Sequence, residues 1–349
     1  MRSSELRTTA TMFLGLALVV SGCTSQSPPT GNPTGIRSSN ASLERDADGQ
    51  VVAMSFFGDG VTDADLQKVA AHGKLSRLTL QQCSQISDDG LAVLKDAHEL
   101  AELELIRVPV TDAGFEHLKS SRSLAELLVG HAPITGAGLR HLENVPIVRL
   151  SIHSRTVTGE GLRALLSLSS LKEIELNCPE ISLGQLPSLV SLEELESVVA
   201  NGTPIGSGGL EILRGHPRLR KLILYASEVD DARLGVFNTL SELEELELGG
   251  ALITNEGLKQ LSMESLKSLS LDSCTAIDDS GLRNLAGMRQ LEFLNLMGTS
   301  VAGLDLTGLQ VLPHLKRVLI AAQQFRGNDD TIDALKKLLP NCEVVIVQG

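Results

Sequence analysis

The spacing of leucines constrains this chain more than any other feature. A six-residue pattern, L-x-x-L-x-L, is clearest at Leu266, Leu269 and Leu271. It returns with first positions at Val51, Leu75, Leu100, Leu124, Ile147, Leu171, Leu195, Leu219, Leu243, Leu266, Leu291 and Leu315, twelve copies at steps of 23 to 25 residues. Inside each block apolar and polar residues alternate, which is the period of a strand with one buried side. A leucine pair spaced by three follows, as at Leu91 and Leu94, Leu258 and Leu261, or Leu282 and Leu285, and that spacing belongs to a helix or helical turn. A single strand–turn–helix unit cannot hide its own apolar side, so the copies must stack. The 349 residues therefore predict one α/β solenoid over 49–349 in place of two or three globular domains. The block strands form a parallel sheet on the concave face of a horseshoe, with helices or helical turns on the convex face. A last strand from Cys342 through Val345 to Val347 closes the stack.

Between strand and helix sits a recurring turn, as in Val61-Thr62-Asp63, Ile86-Ser87-Asp88, Val110-Thr111-Asp112, Ile253-Thr254-Asn255 and Ile277-Asp278-Asp279. So many acids invite a calcium reading. Helix capping explains them more simply: a Thr, Ser or Asp oxygen accepts from the first free amides, and the negative charge suits the positive helix end. Glycine two residues on, at Gly90, Gly114, Gly138, Gly161, Gly257 and Gly281, fits a close backbone approach.

These repeats resemble leucine-rich repeats over residues 51–349. Leu78-x-Leu80-x-x-Cys83-x-x-Ile86-x-Asp88-x-Gly90-Leu91 and Leu269-x-Leu271-x-x-Cys274-x-x-Ile277-x-Asp279-x-Gly281-Leu282 are similar to the cysteine-containing subfamily known from F-box proteins and from bacterial exported proteins. The resemblance implies that Cys83 and Cys274 turn inward toward the backbone of neighbouring turns. Most copies lack the cysteine, and Cys178 and Cys342 read as small buried residues. No F-box precedes the repeats, so a ubiquitin-ligase role does not carry over.

Residues 1–22 hold Arg2 and Arg7, then an apolar run from Met12 to Val20, and end in small residues. That run is shorter than the roughly 20 residues that cross a bilayer and reads as a signal peptide. Val20-Ser21-Gly22-Cys23 resembles the lipobox of bacterial lipoproteins. The resemblance implies cleavage before Cys23, diacylglyceryl and acyl chains on it such as palmitate, and an exported protein anchored to a membrane of the cell envelope. Two or three acyl chains, at about 0.8 kcal/mol per buried CH₂, suffice for stable anchoring. From Thr24 to Leu43, fifteen of twenty residues are Ser, Thr, Pro, Gly or Asn, a composition too polar to fold alone. Residues 23–48 are thus expected to be the anchor cysteine and a flexible tether, with a reach of roughly 25 to 30 Å.

The net charge is −13. Cleavage after residue 22 removes Arg2, Glu5 and Arg7 and leaves −14. An acidic chain without Trp and with one Tyr lacks both the charge and the stacking platforms that nucleic acids require. Five irregularly spaced cysteines do not read as a disulfide framework. The eight histidines are scattered. His131 and His153 follow strands in adjacent copies, yet no cysteine or carboxylate stands at ligand spacing, so neither metal nor cofactor is expected. No phosphate loop, H-E-x-x-H or G-x-S-x-G occurs, and no catalytic residue is assigned.

What remains is the outward side of the strands. Glu102, Glu104, Glu126, Glu173, Glu175, Glu245, Glu247 and Asp272 make it acidic, interrupted by Arg77, Arg149, Lys221 and Arg317. Phe57, Ile106, Leu128, Val199, Ile223, Tyr225, Phe293, Met297 and Leu319 also fall at outward positions, where a merely solvated surface has no need of them. Tyr is enriched among binding hot spots. Tyr225, with Ile223 and Lys221 on its strand, is the expected anchor for a protein partner, joined by Phe293, Met297, Leu128 and Ile106. Alternatives are an envelope-bracing or glycan-binding role, which the lack of Trp disfavours, and a hydrolase without a recognisable motif.

Overall fold

A computed structural model describes residues 41–349 except 70–71, 226–227, 304, 326–328 and 348–349. The expected signal peptide, the Cys23 anchor and tether residues 24–40 lie outside the described residues. The folded unit is built on one sheet whose strands follow chain order from first to last. They are β1 (Ala41–Arg45), β2 (Val51–Phe57), β3 (Arg77–Gln81), β4 (Glu102–Ile106), β5 (Glu126–Gly130), β6 (Arg149–His153) and β7 (Glu173–Asn177). Then come β8 (Ser197–Ala200), β9 (Lys221–Tyr225), β10 (Glu245–Gly249), β11 (Ser268–Ser270), β12 (Phe293–Asn295), β13 (Arg317–Ala321) and β14 (Glu343–Val347). From β2 onward every neighbouring pair is parallel, each return running through one repeat.

The register places like on like. Met54, Leu78, Leu103, Leu127, Leu150, Ile174, Val198, Leu222, Leu246, Leu269, Leu294 and Val318 pair in one row across twelve strands. None is more than 1% exposed. A second row, from Phe56 and Leu80 through Leu105, Val129, Ile152 and Leu176, is as deeply buried. Each fully buried Leu contributes roughly 1.5 to 3 kcal/mol, and only the neighbouring repeats provide the cover. This is the leucine-rich-repeat fold.

The returns are short. Most are 3₁₀ turns, such as Asp89–Asp96, Gly161–Ser167 and Asp279–Gly287, while α-helix is confined to Asp63–Leu66, Asn255–Leu258 and Asp329–Leu338 among the described residues. In Asp279–Gly287 the expected pair, Leu282 and Leu285, is fully buried. A repeat of about two dozen residues leaves few for the return, and the tighter 3₁₀ geometry spans the distance with them.

One boundary differs from the expectation. Residues 41–45, assigned to the tether, form β1 and pair antiparallel with β2. The turn between them is closed by Asp46, which accepts from the amides of Asp48 at 3.0 Å and Gln50 at 2.8 Å. Leu43 opposes Met54 and packs on the core, while Glu44 and Arg45 stay exposed. β1 therefore covers the first repeat, the capping that a stacked array needs at its end.

The recurring turn also does more than cap its own helix. Thr254 does accept from the amides of Glu256 and Gly257. The acid that follows, however, reaches forward into the next repeat. Asp63 accepts from the amide and hydroxyl of Ser87 at 2.9 and 2.6 Å. Asp88 does the same with Thr111, both at 2.7 Å. Asp231 repeats the arrangement with Thr254 at 2.8 and 2.6 Å. Asp112 takes Thr135 and the amides of Gly136 and Gly138. Burial raises its pKa, but these bonds outweigh burial and hold it below the usual carboxylate value.

The glycine of the motif makes room for this acid. A Cβ on Gly90 would stand 2.0 Å from Oδ1 of Asp63, and one on Gly257 would stand 2.0 Å from Oδ1 of Asp231. Below the strand ends the thiols of Cys83 and Cys274 meet carbonyls of the preceding repeat, Phe56 at 3.7 Å and Leu248 at 3.1 Å. Cys178, read from sequence as apolar filling, does likewise with Ile152 at 3.6 Å.

Gly257→Ala should lower stability by about 1 to 3 kcal/mol despite the better helix propensity of Ala. In an Asp231→Ala background the same change should be neutral or stabilising, giving a non-additive double-mutant cycle in urea unfolding.

Candidate interaction face

Because strand side chains alternate, the residues between the buried rows form the solvent-facing side of the sheet in three parallel rows. The first row runs Arg77, Glu102, Glu126, Arg149, Glu173, Ser197, Lys221, Glu245, Ser268, Phe293, Arg317. It is largely an ion-pair ladder. Arg77 holds Glu102 at 2.5 Å, and Arg149 lies between Glu126 and Glu173, both at 2.8 Å. Lys221 holds Glu245 at 3.0 Å and is thereby engaged within the sheet. Exposed pairs of this kind contribute little stability individually, and here they neutralise the row.

All seven expected contact residues lie at outward positions, but they do not form one patch. Ile106 and Leu128 flank Gly130 on β4 and β5. Ile223 and Tyr225 stand on β9, four strands from Leu128, about 19 Å away at ordinary strand spacing. Phe293 and Met297, on β12 and just beyond it, lie three strands further, about 14 Å. Of the set, only Tyr225 is well exposed, at 52%; Ile106, Leu128, Lys221, Ile223, Phe293 and Met297 are half-buried. The ring of Tyr225 lies across Gly249, where a Cβ would meet three of its carbons at 3.4 to 3.6 Å. Burial raises the phenol pKa, and the charges of Asp272 and Glu247 raise it further.

Between the first two of these apolar groups lies a polar cluster that sequence reading did not assemble. Ser151, His153 and Glu175 sit on β6 and β7, with Ser151 Oγ at 3.1 Å and Glu175 Oε1 at 3.2 Å from the same nitrogen, Nε2 of His153. A nucleophile relay needs the carboxylate on one ring nitrogen and the hydroxyl on the other. The arrangement instead joins two strands; with its neighbour it holds the Glu175 carboxyl below its usual range, chiefly through His153 and against burial. The His131 pKa is lowered, mainly by burial and then by Arg107, His153 and Arg155. Among the described residues no group of three or more His, Cys, Asp or Glu is placed to hold a metal ion. No helix among them is long and apolar enough to cross a membrane.

Glu247, placed on the outward side from sequence, has a further feature that the sequence reading missed. Its strand neighbours are Ile223 and Ser270, neither of them a cation. Burial raises its pKa first, followed by Glu245 and then Asp272, with Lys221 opposing. The signal was present in the sequence, since residues one repeat apart become neighbours: 24 positions before Glu247 stands Ile223, whereas 24 before Glu245 stands Lys221.

No protein-family model matches the sequence, and no curated protein matches it. Solved structures do. An internalin, inlF, of Listeria monocytogenes is similar over 72% of this chain and 76% of its own, at 18% identity and a TM-score of 0.53. A leucine-rich-repeat protein of Leptospira interrogans aligns over 80% of each chain at 16% identity and a TM-score of 0.45. The yeast Rad7 and Elc1 complex aligns over 82% of this chain and 78% of that one, at 21% identity and 0.49. At these identities the likeness speaks for the fold, and the internalin carries it.

Glu247→Gln should stabilise the protein at neutral pH. A carboxyl with a raised folded pKa leaves stability greatest at low pH and erodes it as pH rises through that value. The thermal midpoint of the variant should lie higher by roughly 1 °C at pH 7, with the gain closing below about pH 4, where both side chains are neutral.

Proposed function

We propose that the chain is a lipid-anchored scaffold of the bacterial cell envelope that binds a protein partner on the open face of its sheet and has no catalytic role. The exposed Tyr225 beside Ile223, on a face whose first row is mostly ion-paired within itself, is the observation that carries this reading. Aromatic residues dominate binding energy at protein interfaces, and a rigid repeat array presents them without reordering. Among the described residues, the depression lined by Gly209, Leu210, Arg214, Ala232 and Arg233 measures about 140 Å³, below the size of ordinary ligand sites. Inward thiols at Cys83, Cys178 and Cys274 support the cysteine-containing type of repeat.

The address rests on sequence. The apolar run from Met12 to Val20 and the Val20-Ser21-Gly22-Cys23 motif support export, cleavage before Cys23 and acylation there, with the polar segment after it as spacer. The partner then meets the repeats at the membrane surface.

Two substitutions test the two halves of this reading. Cys23→Ala should abolish incorporation of labelled palmitate and move the protein from the membrane fraction to the soluble one; retention of label and membrane would refute the anchor. Joint replacement Ile223→Ala and Tyr225→Ala should weaken partner capture in the native envelope at least about tenfold while leaving the thermal midpoint nearly unchanged. Undiminished capture would remove the face from the account.

A further inference from the structure

The outward acids of the sheet are matched to cations or hydroxyls on adjacent strands. Glu102 takes Arg77, Glu104 takes Thr79, and Glu126 and Glu173 share Arg149. Glu175 takes His153 and Ser151, Glu245 takes Lys221, and Glu343 takes Arg317. Two acids depart from this. The Glu247 carboxylate makes no hydrogen bond or ion pair among the described residues, and the Asp272 carboxylate has there only the adjacent Ser273 hydroxyl at 3.4 Å.

Both stand beside the one well-exposed aromatic ring of the sheet's central strands. Tyr225 pairs with Gly249, and the amide of Gly250 bonds the Asp272 carbonyl at 2.7 Å, so ring, glycine and acid follow one another across three strands. Glu247 is two residues before Gly249 on the same outward side, and Ile223 is its direct neighbour on β9. The phenol oxygen has no hydrogen-bond partner among the described residues. Uncompensated negative charge and an exposed π-face thus coincide at one place. The other exposed ring of the sheet, Phe57, lies at the first repeat, where its strand neighbour is Gln81.

We propose that Ile223, Tyr225, Glu247 and Asp272 receive an arginine side chain presented by the protein partner. A guanidinium is planar, weakly hydrated and always charged, and it stacks on an aromatic face while its edge donates to carboxylates. Tyr225 offers the face, Glu247 and Asp272 the acceptors, and Ile223 an apolar flank for the aliphatic stem. A lysine ammonium brings charge but no plane to lie on the ring. The shape of the site and its charge therefore both select arginine. This inference rests on the sheet face being where a partner binds.

The chain carries its own reporter. It has no Trp and a single Tyr, so tyrosine emission reads the Tyr225 ring alone. The full chain, held in a non-aromatic detergent, is titrated with N-acetyl-arginine amide and with its citrulline counterpart, which keeps the shape and lacks the charge. A saturable emission change is expected with the arginine probe, about tenfold weaker with citrulline. The response should vanish in Glu247→Gln with Asp272→Asn, a variant that removes charge without removing bulk. No saturable change, an equal response to citrulline, or an undiminished response in the double variant would overturn the inference; the last would mark a general attraction of cations to an acidic chain. The two levels separate cleanly. If the probe is silent while Tyr225→Ala still releases the partner, the arginine claim falls alone; if Tyr225→Ala retains the partner, the interaction face falls with it.

Discussion

Everything in this molecule depends on one contact repeated: a leucine at the centre of each strand covered on both sides by the same position of the next strand. The row from Met54 to Val318 has no break, and none of its members is more than 1% exposed. No repeat in the middle of the array owns a closed core. Stability is then a sum of neighbour terms, and the ends must be treated differently from the middle. At the first repeat the treatment is visible, since β1 reverses direction and lays the polar residues Glu44 and Arg45 over the edge.

The turn motif adds a polar clamp to the apolar stack. Thr or Ser at its second position, as at Thr254, both caps its own helix and donates to the acid of the repeat before, while glycine leaves space for that acid. Three residue types at fixed spacing are therefore one device spread over two repeats. Copies with Gly136, Gly159 or Leu183 in place of the acid lack the clamp, and backbone bonds stand in, as from Thr158 to the Thr135 carbonyl at 3.0 Å and from Leu183 to Pro204 at 2.8 Å. The array is clamped near both ends and held through its middle by backbone bonds and packing.

Most of the fold was legible because its two periods are written in residue type: alternation within a strand, and a step of about two dozen residues between strands. Leu78, Leu103, Leu222 and Leu246 fall where the pattern puts them. β1 was not legible, because Ala-Ser-Leu-Glu-Arg follows a polar run without a break in composition and becomes a strand only through Leu43 opposing Met54. The forward reach of Asp63 and Asp231 was hidden for a different reason: capping and bridging to the next repeat use the same residues. On the face, the outward positions of Ile106, Leu128, Lys221, Ile223, Tyr225, Phe293 and Met297 follow from alternation. Their separation into groups, and the engagement of Lys221 with Glu245, follow from the register, which alternation alone does not supply.

A half-buried acid without a partner costs stability, and a chain selected for stability alone has simple replacements for Glu247. Its place beside Tyr225 is intelligible if that cost serves binding. All of this presupposes the register itself, and a pair of adjacent substitutions tests it most directly. Leu269 is fully buried between Leu246 and Leu294, whereas Lys267, two residues earlier, is exposed and paired with Glu244 at 2.9 Å. Urea unfolding of Leu269→Asp should show a loss above about 4 kcal/mol or no folded state, while Lys267→Asp should lose less than about 1 kcal/mol. Similar midpoints for the two variants would contradict the stacked-leucine account at its base.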